Sequence, residues 1–267
     1  MKTILSVQDL SCVGKCSLSV AMPVISAMGL TCACLPTGVL STHTAFPNPH
    51  KRDLTEDILP TLRHWQEIGA AFDAISIGYL ASNSQVALSE KLIDTFDSFV
   101  VLDPAMADHG KLYGLIEADR PKVLRSLCQK ANVLLPNVTE AALLTDIPYT
   151  KNIDLAYCRK LAEGLKKLGC DTFVITGISL AADTIGFFAM DKGEEFSYQG
   201  AKIPSRAHGT GDLFTAVFTG SMVKGKSAFD AAVTAANFVE RCLIATPEYT
   251  PFGVAFEPLL STLWQEA

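Results

Sequence analysis

The chain has 267 residues, of which 49% are hydrophobic and 19% charged, a balance that allows a sizeable core and argues against a disordered chain. Its net charge of -6 disfavours nucleic acid and anionic membrane surfaces as partners, although a nucleotide can still bind wherever the local potential is positive. The sequence shows neither a signal peptide nor an apolar run of the roughly 18 residues that a membrane span needs. We therefore expect a cytoplasmic protein.

Short apolar runs alternate along the chain with longer amphipathic segments, which indicates strands alternating with helices. In chain order we predict a strand at 3–7, a helix at 17–28, a strand at 30–36, a helix at 55–68, a strand at 74–77, a helix at 84–96, a strand at 99–102, a helix at 120–129, a strand at 133–135, a helix at 155–168, a strand at 172–176, two strands at 184–190 and 194–198, and helices at 211–223 and 227–245. The last two strands flank Asp191-Lys192-Gly193, which is typical of a hairpin.

This order of elements is typical of a mainly parallel sheet with helices on both faces. The run Phe-Val-Val-Leu at 99–102 lacks polar alternation, as expected of a strand that is buried on both sides. The late hairpin is expected to add antiparallel strands at one edge. Since no linker, repeat or low-complexity segment interrupts the sequence, we predict a single α/β domain over residues 1–267.

The eight cysteines form neither a CxxC pair nor a zinc pattern of His and Cys. Cys32 and Cys34 alternate in a predicted strand, so both side chains can face one side of it. We interpret the cysteines as buried free thiols of a protein in a reducing compartment.

Polar side chains occur where the predicted strands end, and in an open parallel sheet ligands bind beyond the carboxyl ends of the strands. These side chains are therefore expected to converge on one rim. They include Gln8, Asp9, Thr44, Tyr79, Asp103, Asp108, Asn137, Thr139, Glu140, Thr176 and Gly177. Taken together, their carboxylates, amide and hydroxyls suit a site for magnesium and phosphate. Taken singly, Asn137, Thr139 and Glu140 are more typical of helix capping.

The strongest local signal is the sequence His-Gly-Thr-Gly-Asp at 208–212, directly before an apolar helix. Its two glycines let the backbone approach a phosphate, and the helix N-terminus presents free N–H groups and partial positive charge. Asp212 lies beside this anion hole, where a carboxylate can accept the proton of an attacking hydroxyl. The alternative interpretation is a glycine turn with an acidic first-turn residue, and His208 is interpreted as a rim residue. The motif is neither a Walker loop nor a dinucleotide-binding motif.

These residues resemble the ribokinase superfamily and, within it, the pyridoxal kinase branch, from about Ile4 to the helix after Ser227. Asp-Pro-Ala-Met-Ala-Asp at 103–108 is similar to the DPVMGD of these kinases, and Pro-Asn at 136–137 with Glu140 is similar to their PNxxE. Val-Leu-Ser-Thr-His-Thr at 39–44 is similar to their VQFSNHT segment. The resemblance implies a three-layer sandwich, and the short chain, with no lid-like run of strands, predicts that there is no lid domain.

The resemblance also implies a role for each candidate residue. Asp212 is the expected base, with Gly209, Thr210 and Gly211 as the anion hole. The expected substrate contacts are Asp9, Thr44 and Tyr79. The expected nucleotide contacts are Asp103, Tyr113, Asn137, Thr176 and Gly177. The expected metal-site residues are Asp103, Asn137, Glu140 and Asp108. The implied co-substrate is ATP and the implied cofactor Mg²⁺, with a monovalent cation as a further candidate. A pyridine vitamer (pyridoxal, pyridoxine or pyridoxamine) is the implied acceptor, and a homodimer the implied assembly.

One departure from the family bears on the acceptor. Pyridoxal kinases usually carry Ser-His after the first-strand glutamine, whereas Gln8 is followed here by Asp9 and Leu10. An aspartate can pair with a protonated ring nitrogen or with an amino substituent, so hydroxymethylpyrimidine kinase remains an alternative. A sugar or nucleoside kinase, or a vitamin-binding protein without catalysis, is less favoured.

Overall fold

The computed structural model describes residues 1–44, 46–205, 207–247 and 250–266, with side chains described as far as residue 264 in the last segment. Its strands are β1 Thr3–Val13, β2 Thr31–Thr42, β3 Lys51–Asp53, β4 Ala74–Ile77, β5 Phe99–Leu102, β6 Ala107–Asp108, β7 Lys111–Leu112, β8 Val133–Leu134, β9 Thr172–Ile178, β10 Thr184–Asp191 and β11 Glu194–Ala201. Its helices are α1 Leu18–Ala27, α2 Thr55–Glu67, α3 Ser84–Phe96, α4 Arg120–Cys128, α5 Val138–Thr145, α6 Leu155–Lys167, α7 Thr210–Val223, α8 Ala228–Ala245 and α9 Leu260–Glu266.

Nine of these strands form one sheet in the order β11-β10-β9-β8-β5-β4-β1-β2-β3. The six central strands from β9 to β2 run parallel to their neighbours. The hairpin β10–β11 adds two antiparallel strands at one edge, and β3 adds an antiparallel strand at the other. The predicted sheet, mostly parallel with an antiparallel hairpin at one edge, is confirmed.

Two apolar cores lie on opposite faces of this sheet. One core joins the sheet to helices α2 to α6, and the other joins it to α1, α7, α8 and α9. Neighbouring residues of β1 contribute to opposite cores, since Ile4 packs with the second set and Leu5 with the first, and both are fully buried. This burial on both faces explains why the central strands lack polar alternation, and it confirms the three-layer arrangement.

The first two strands are longer than predicted, because polar residues were read as strand ends. β1 continues past Asp9 to Val13, and β2 continues to Thr42. The register pairs Gln8 with Pro36 but Leu10 with Val39, so two β2 residues lie opposite Asp9 alone. A bulge of this kind redirects side chains at the edge of a site. Asp9 therefore lies inside a strand and does not follow one.

Three short strands, β3, β6 and β7, were not predicted. β3 pairs with β2, and β6 pairs with β7 as a separate two-stranded ribbon. Segments of two or three residues carry no usable periodicity, so pairing with a neighbour decides their structure.

The cysteines are free thiols, as predicted, but only some of them are buried. Cys128, Cys158, Cys170 and Cys242 are buried, whereas Cys12 is exposed. Among the described residues, no helix combines the length and the apolar character that a membrane crossing demands.

Candidate active site

The ends of neighbouring parallel strands bring several predicted residues to one edge of the sheet. β4 stops at Ile77, and Gly78 then donates its N–H to the Val7 carbonyl at 3.0 Å, so Tyr79 begins the segment beyond β4. Asp103 follows β5 directly and Asn137 follows β8 closely. Asn137 and Thr176 are bridged as parallel neighbours. The predicted convergence at the carboxyl edge is therefore present for these residues.

The glycine turn before α7 packs tightly against the loop after β1. Gly209 has a positive φ of 87°, and a Cβ at this position would lie 1.9 Å from the Lys15 carbonyl oxygen. A side chain is therefore excluded on two independent grounds, backbone conformation and space. α7 begins at Thr210, so free N–H groups at its N-terminus face the turn. This arrangement is suited to holding an anionic group.

Asp212 lies in the first turn of α7 and is half-buried. Burial raises the pKa of its carboxyl to about 8, and the negative charges of Asp103 and Asp9 add to the rise. The nearby backbone N–H of Ser17 opposes that rise. A carboxyl with such a pKa is suited to accepting a proton near neutral pH.

Ser17 is a site residue that sequence reasoning missed. It precedes α1 and has an unusual backbone conformation for a residue with a side chain, with φ 51° and ψ −130°. It lies near both Asp212 and Asp9, and its side chain is one of the influences that lower the pKa of Asp9. The sequence signal for this part of the site was a short polar loop after the true end of β1, which contains Gly14, Lys15 and Ser17. It was overlooked because the strand was predicted to end at residue 7.

Asp103 and Glu140 are two acidic groups close enough to influence each other. The Thr215 hydroxyl donates to Asp103 Oδ2 at 2.8 Å. Burial raises the pKa of the Asp103 carboxyl, and the Thr215 hydrogen bond opposes this. Burial also raises the pKa of Glu140, which is 2% exposed, and the negative charge of Asp103 raises it further. Repulsion of this kind is relieved when a cation binds nearby.

Asn137 and Glu140 form a capping box at the start of α5. Asn137 Oδ1 accepts the Glu140 N–H at 3.0 Å, and Glu140 Oε2 accepts the Asn137 N–H at 2.9 Å. The other oxygen of Glu140 accepts the N–H groups of Met106 and Ala107 at 3.0 and 3.3 Å. Asn137 Nδ2 also donates to the Ala107 carbonyl at 2.8 Å, so the capping interpretation describes only part of the direct hydrogen bonds of the two residues. These hydrogen bonds also show that Glu140 fixes the segment that follows Asp103.

These residues fit a magnesium ion that is held mainly by phosphate and water. Among the residues that the structure describes, no group of three or more His, Cys, Asp or Glu side chains is arranged to hold a metal. Mg²⁺ typically keeps several waters and takes one or two protein carboxylates with substrate phosphates. Asp103 with the neighbouring Glu140 supplies that smaller donor set.

The predicted metal-site residue Asp108 and the predicted nucleotide contact Tyr113 are both more exposed than this acidic pair. Asp108 is exposed, and its carboxylate accepts the backbone N–H of His109 at 2.7 Å. Tyr113 is partly exposed, and its N–H donates to the Met106 carbonyl at 2.9 Å. Burial raises the pKa of the Tyr113 hydroxyl, and the charges of Glu140 and other nearby acids add to this, so the ring lies near the acidic centre.

Asp9 and Tyr79 lie deep on the opposite side of the site. Asp9 is 4% exposed, and its Oδ2 accepts the Ser11 hydroxyl at 2.9 Å. Burial raises the pKa of Asp9, while hydrogen bonds from Ser17 and Ser11 oppose the rise. Tyr79 is 7% exposed, and its carbonyl accepts the Thr37 hydroxyl at 2.9 Å. Its own hydroxyl has no hydrogen-bond partner among the described residues.

Thr44 lies at the rim and is exposed; the adjoining residue 45 is outside the described part of the chain. The neighbouring His43 is buried, its Nε2 lies 3.0 Å from the Pro251 carbonyl oxygen, and its ring packs on that of His208 with centroids 4.8 Å apart. Burial, with a further contribution from His43, lowers the pKa of the exposed His208. This placement agrees with His208 as a rim residue.

The chain matches the family model described as phosphomethylpyrimidine kinase over residues 48–254. Pyridoxal kinase of Arabidopsis thaliana is 30% identical over 240 residues, which cover 84% of this chain and 75% of that protein.

Two solved structures share the fold over nearly their full length. Pyridoxal kinase of Lactobacillus plantarum is 33% identical, with a TM-score of 0.90 and coverage of 98% of this chain and 96% of that one. A Bacteroides thetaiotaomicron protein of the phosphomethylpyrimidine kinase type, crystallised with pyridoxal, is 32% identical, with a TM-score of 0.94 and coverage of 100% and 96%. The chain therefore belongs to the phosphomethylpyrimidine kinase family and has the three-layer fold of the pyridoxal kinases that it resembles.

Proposed function

We propose that the protein is an ATP-dependent kinase that phosphorylates the 5′-hydroxymethyl group of pyridoxal, pyridoxine or pyridoxamine. The observation that carries the proposal is Asp212, which lies in the first turn of α7, near the Ser17 N–H and beside a glycine turn that excludes side chains. A base and an anion hole within one turn of each other are what transfer of a phosphoryl group to an alcohol requires.

In the proposed reaction, the Asp212 carboxylate accepts the proton of the 5′-hydroxyl as its oxygen attacks the γ-phosphorus of ATP in line. The new O–P bond forms while the bond to the ADP oxygen breaks. Negative charge on the transferring group is stabilised by the N–H groups of Gly209, Thr210 and Gly211 and by the N-terminus of α7. Most of the rate enhancement comes from positioning and electrostatics.

Mg²⁺, when bound, would neutralise charge on the phosphates of ATP. Asp103 would hold it, with Asn137 and Glu140 acting through water, since their side-chain atoms already form the capping box and bond to the backbone of Met106 and Ala107. Asp108 is a weaker candidate because its carboxylate is exposed and turned to His109.

The nucleotide is proposed to lie along Thr176 and Gly177, with Tyr113 over it. Thr176 is half-buried beside Asn137, Gly177 is exposed, and the Tyr113 ring lies near the acidic centre.

The heterocycle is proposed to lie between Asp9, Thr44 and Tyr79. Asp9 and Tyr79 are buried polar groups on the acceptor side, and the charge of Asp9 acts on both Asp212 and the Tyr79 hydroxyl. A ring in this space would bring its hydroxymethyl group towards Asp212. Homodimerisation, a cytoplasmic location and use of a monovalent cation stay predictions from the resemblance.

Hydroxymethylpyrimidine is the second candidate acceptor, favoured by the name of the matching family and by Asp9, whose carboxylate can bind an amino substituent. ADP release from Mg·ATP should be measured with pyridoxal, pyridoxine, pyridoxamine and hydroxymethylpyrimidine in parallel. Fast turnover of the pyridine vitamers is expected. Turnover of the pyrimidine alone would reassign the acceptor, and no turnover with any of the four would contradict the proposed function.

A further inference from the structure

Asp9 is a deeply buried carboxylate for which the described part of the chain shows no ion-pair partner. One of its oxygens accepts the Ser11 hydroxyl at 2.9 Å. Lys51 attracts it through space without forming an ion pair with it, and the Lys51 ammonium donates to the Ala81 carbonyl at 3.0 Å. Asp212 adds a second negative charge nearby. A buried carboxylate is costly without a cation, so this position suits a ligand that brings one.

Tyr79 provides an independent sign of a missing ligand at the same place. Its side chain is more than nine-tenths buried, and its hydroxyl has no hydrogen-bond partner among the described residues. The hydroxyl lies within the electrostatic reach of Asp9. A buried polar atom without a hydrogen-bond partner is unfavourable, so in a native structure it indicates a site where a ligand can supply the missing hydrogen bond.

The topology places both groups at one gap in the sheet. β1 and β4 last pair at Val7 and Ile77, after which β1 continues without a neighbour on that side. Asp9 lies on β1 just beyond this point, and Tyr79 lies on the segment that leaves β4. The buried carboxylate and the unpartnered hydroxyl therefore belong to residues that lie where β1 and β4 separate.

We propose that Asp9 selects acceptors whose ring carries a cationic nitrogen, so that a protonated pyridine binds in preference to a neutral ring of the same shape. This inference rests on the proposed function and specifies the acceptor chemistry. The Asp9 carboxylate accepts a charge-assisted hydrogen bond from the ring N–H⁺, and the Tyr79 hydroxyl pairs with a polar substituent of the same ring. A neutral ring leaves Asp9 desolvated and unpaired, so discrimination comes from that penalty.

The test is a calorimetric comparison, without ATP, of pyridoxine and its carbon analogue, in which a C–H replaces the ring nitrogen. The proteins are wild type, Asp9→Asn, Asp9→Ser and a control, Asp57→Asn, which removes an exposed carboxylate from the first turn of α2. Wild type and control should bind pyridoxine at least ~10-fold more tightly than the carbon analogue, because the analogue strands a buried charge. In Asp9→Asn and Asp9→Ser this ratio should fall to within about threefold of unity, because no charge is left to strand.

The outcomes separate this inference from the proposed function. Pyridoxine binding with an unchanged ratio in both Asp9 variants would overturn the inference alone. No binding of pyridoxine to the wild type would overturn the proposed function as well. Thermal melting checks folding: Asp9→Ser carries the test if Asp9→Asn does not fold, and unfolding of both variants would show that Asp9 is structural, which also overturns the inference.

Discussion

The two sides of the site differ in how fully the fold satisfies their polar atoms. On the phosphate side, which comprises Asp103, Asn137 and Glu140, both oxygens of Glu140 accept backbone N–H groups and Asn137 caps α5. On the acceptor side, which comprises Asp9 and Tyr79, the tyrosine hydroxyl has no partner among the described residues. The fold thus builds the phosphate side in advance, whereas the acceptor side gains part of its bonding from the ligand.

The largest effect is expected from removing the carboxylate that lies between the two sides. Asp212→Ala should lower kcat by ~10²- to 10⁴-fold, the range for loss of a general base. The variant should still fold, because the substitution removes a carboxylate whose charge is unfavourable in its buried position. The matched control is Asp230→Asn, because Asp230 occupies the first turn of α8 as Asp212 does in α7. Steady-state ADP release should be unchanged in that control; an equally active Asp212→Ala would remove the base assignment.

A smaller loss is expected from filling the glycine turn. Gly209→Ala places a methyl group 1.9 Å from the Lys15 carbonyl oxygen unless the backbone shifts. Because a shift of about 1 Å can cost roughly 10²-fold, kcat should fall at least ~10-fold. Gly225→Ala is the control, since Gly225 also has a positive φ, of 103°, but nothing lies within 4 Å of an added Cβ. It should lose stability by about 1–2 kcal/mol and keep its activity. Equal kcat losses in the two variants would contradict a role for close packing at Gly209.

Urea unfolding tests directly whether the polar side chains of the two sides contribute differently to stability. Asn137→Ala removes the cap of α5 and should lower the free energy of unfolding by about 1 kcal/mol. Tyr79→Phe removes a hydroxyl that has no described partner, so it should leave stability unchanged or slightly increased. It should instead raise the KM for the vitamer. Loss of stability in Tyr79→Phe comparable to that in Asn137→Ala would mean that the acceptor side is as self-contained as the phosphate side.

The last prediction concerns pH. Asp212 must be unprotonated to accept a proton, so kcat/KM should rise with pH and level off above about 8, the pKa to which burial raises this carboxyl. Stability should change in the opposite direction. The folded state holds this proton more tightly than the unfolded state between the ordinary value of 3.8 and about 8, so the free energy of unfolding falls as pH rises through that window. Asp212→Asn should remove this part of the slope; an unaltered slope would contradict the raised pKa.

The sequence was sufficient for the layers, the alternation of strands and helices along the chain and the glycine turn before α7. A strand that is buried on both faces, such as Phe99–Leu102, has an uninterrupted apolar sequence, and such a run can be recognised without the structure. The ends of β1 and β2 were not predictable, because polar residues such as Asp9 sit within a strand at a bulge. Ser17 was missed for the same reason: its role depends on a loop that contacts α7 through space.

The dual nature of Asn137 and Glu140 was left open by the sequence, since capping and metal-site residues share the same side chains. The hydrogen bonds assign their direct contacts to capping and to the backbone of Met106 and Ala107, and they leave water-mediated contacts for the proposed metal. For Tyr79 the sequence predicted the position but not the hydrogen bonding. Whether its hydroxyl has a protein partner depends on packing that no local pattern encodes.

Single-turnover formation of pyridoxal 5′-phosphate by wild type and Asp212→Asn, with the dissociation constants of ATP and pyridoxal measured alongside, tests the central claim most directly. The account predicts unchanged binding of both substrates and phosphoryl transfer slowed by ~10²- to 10⁴-fold in the variant. Equal rates of phosphoryl transfer in the two proteins would contradict Asp212 as the base that accepts the hydroxyl proton.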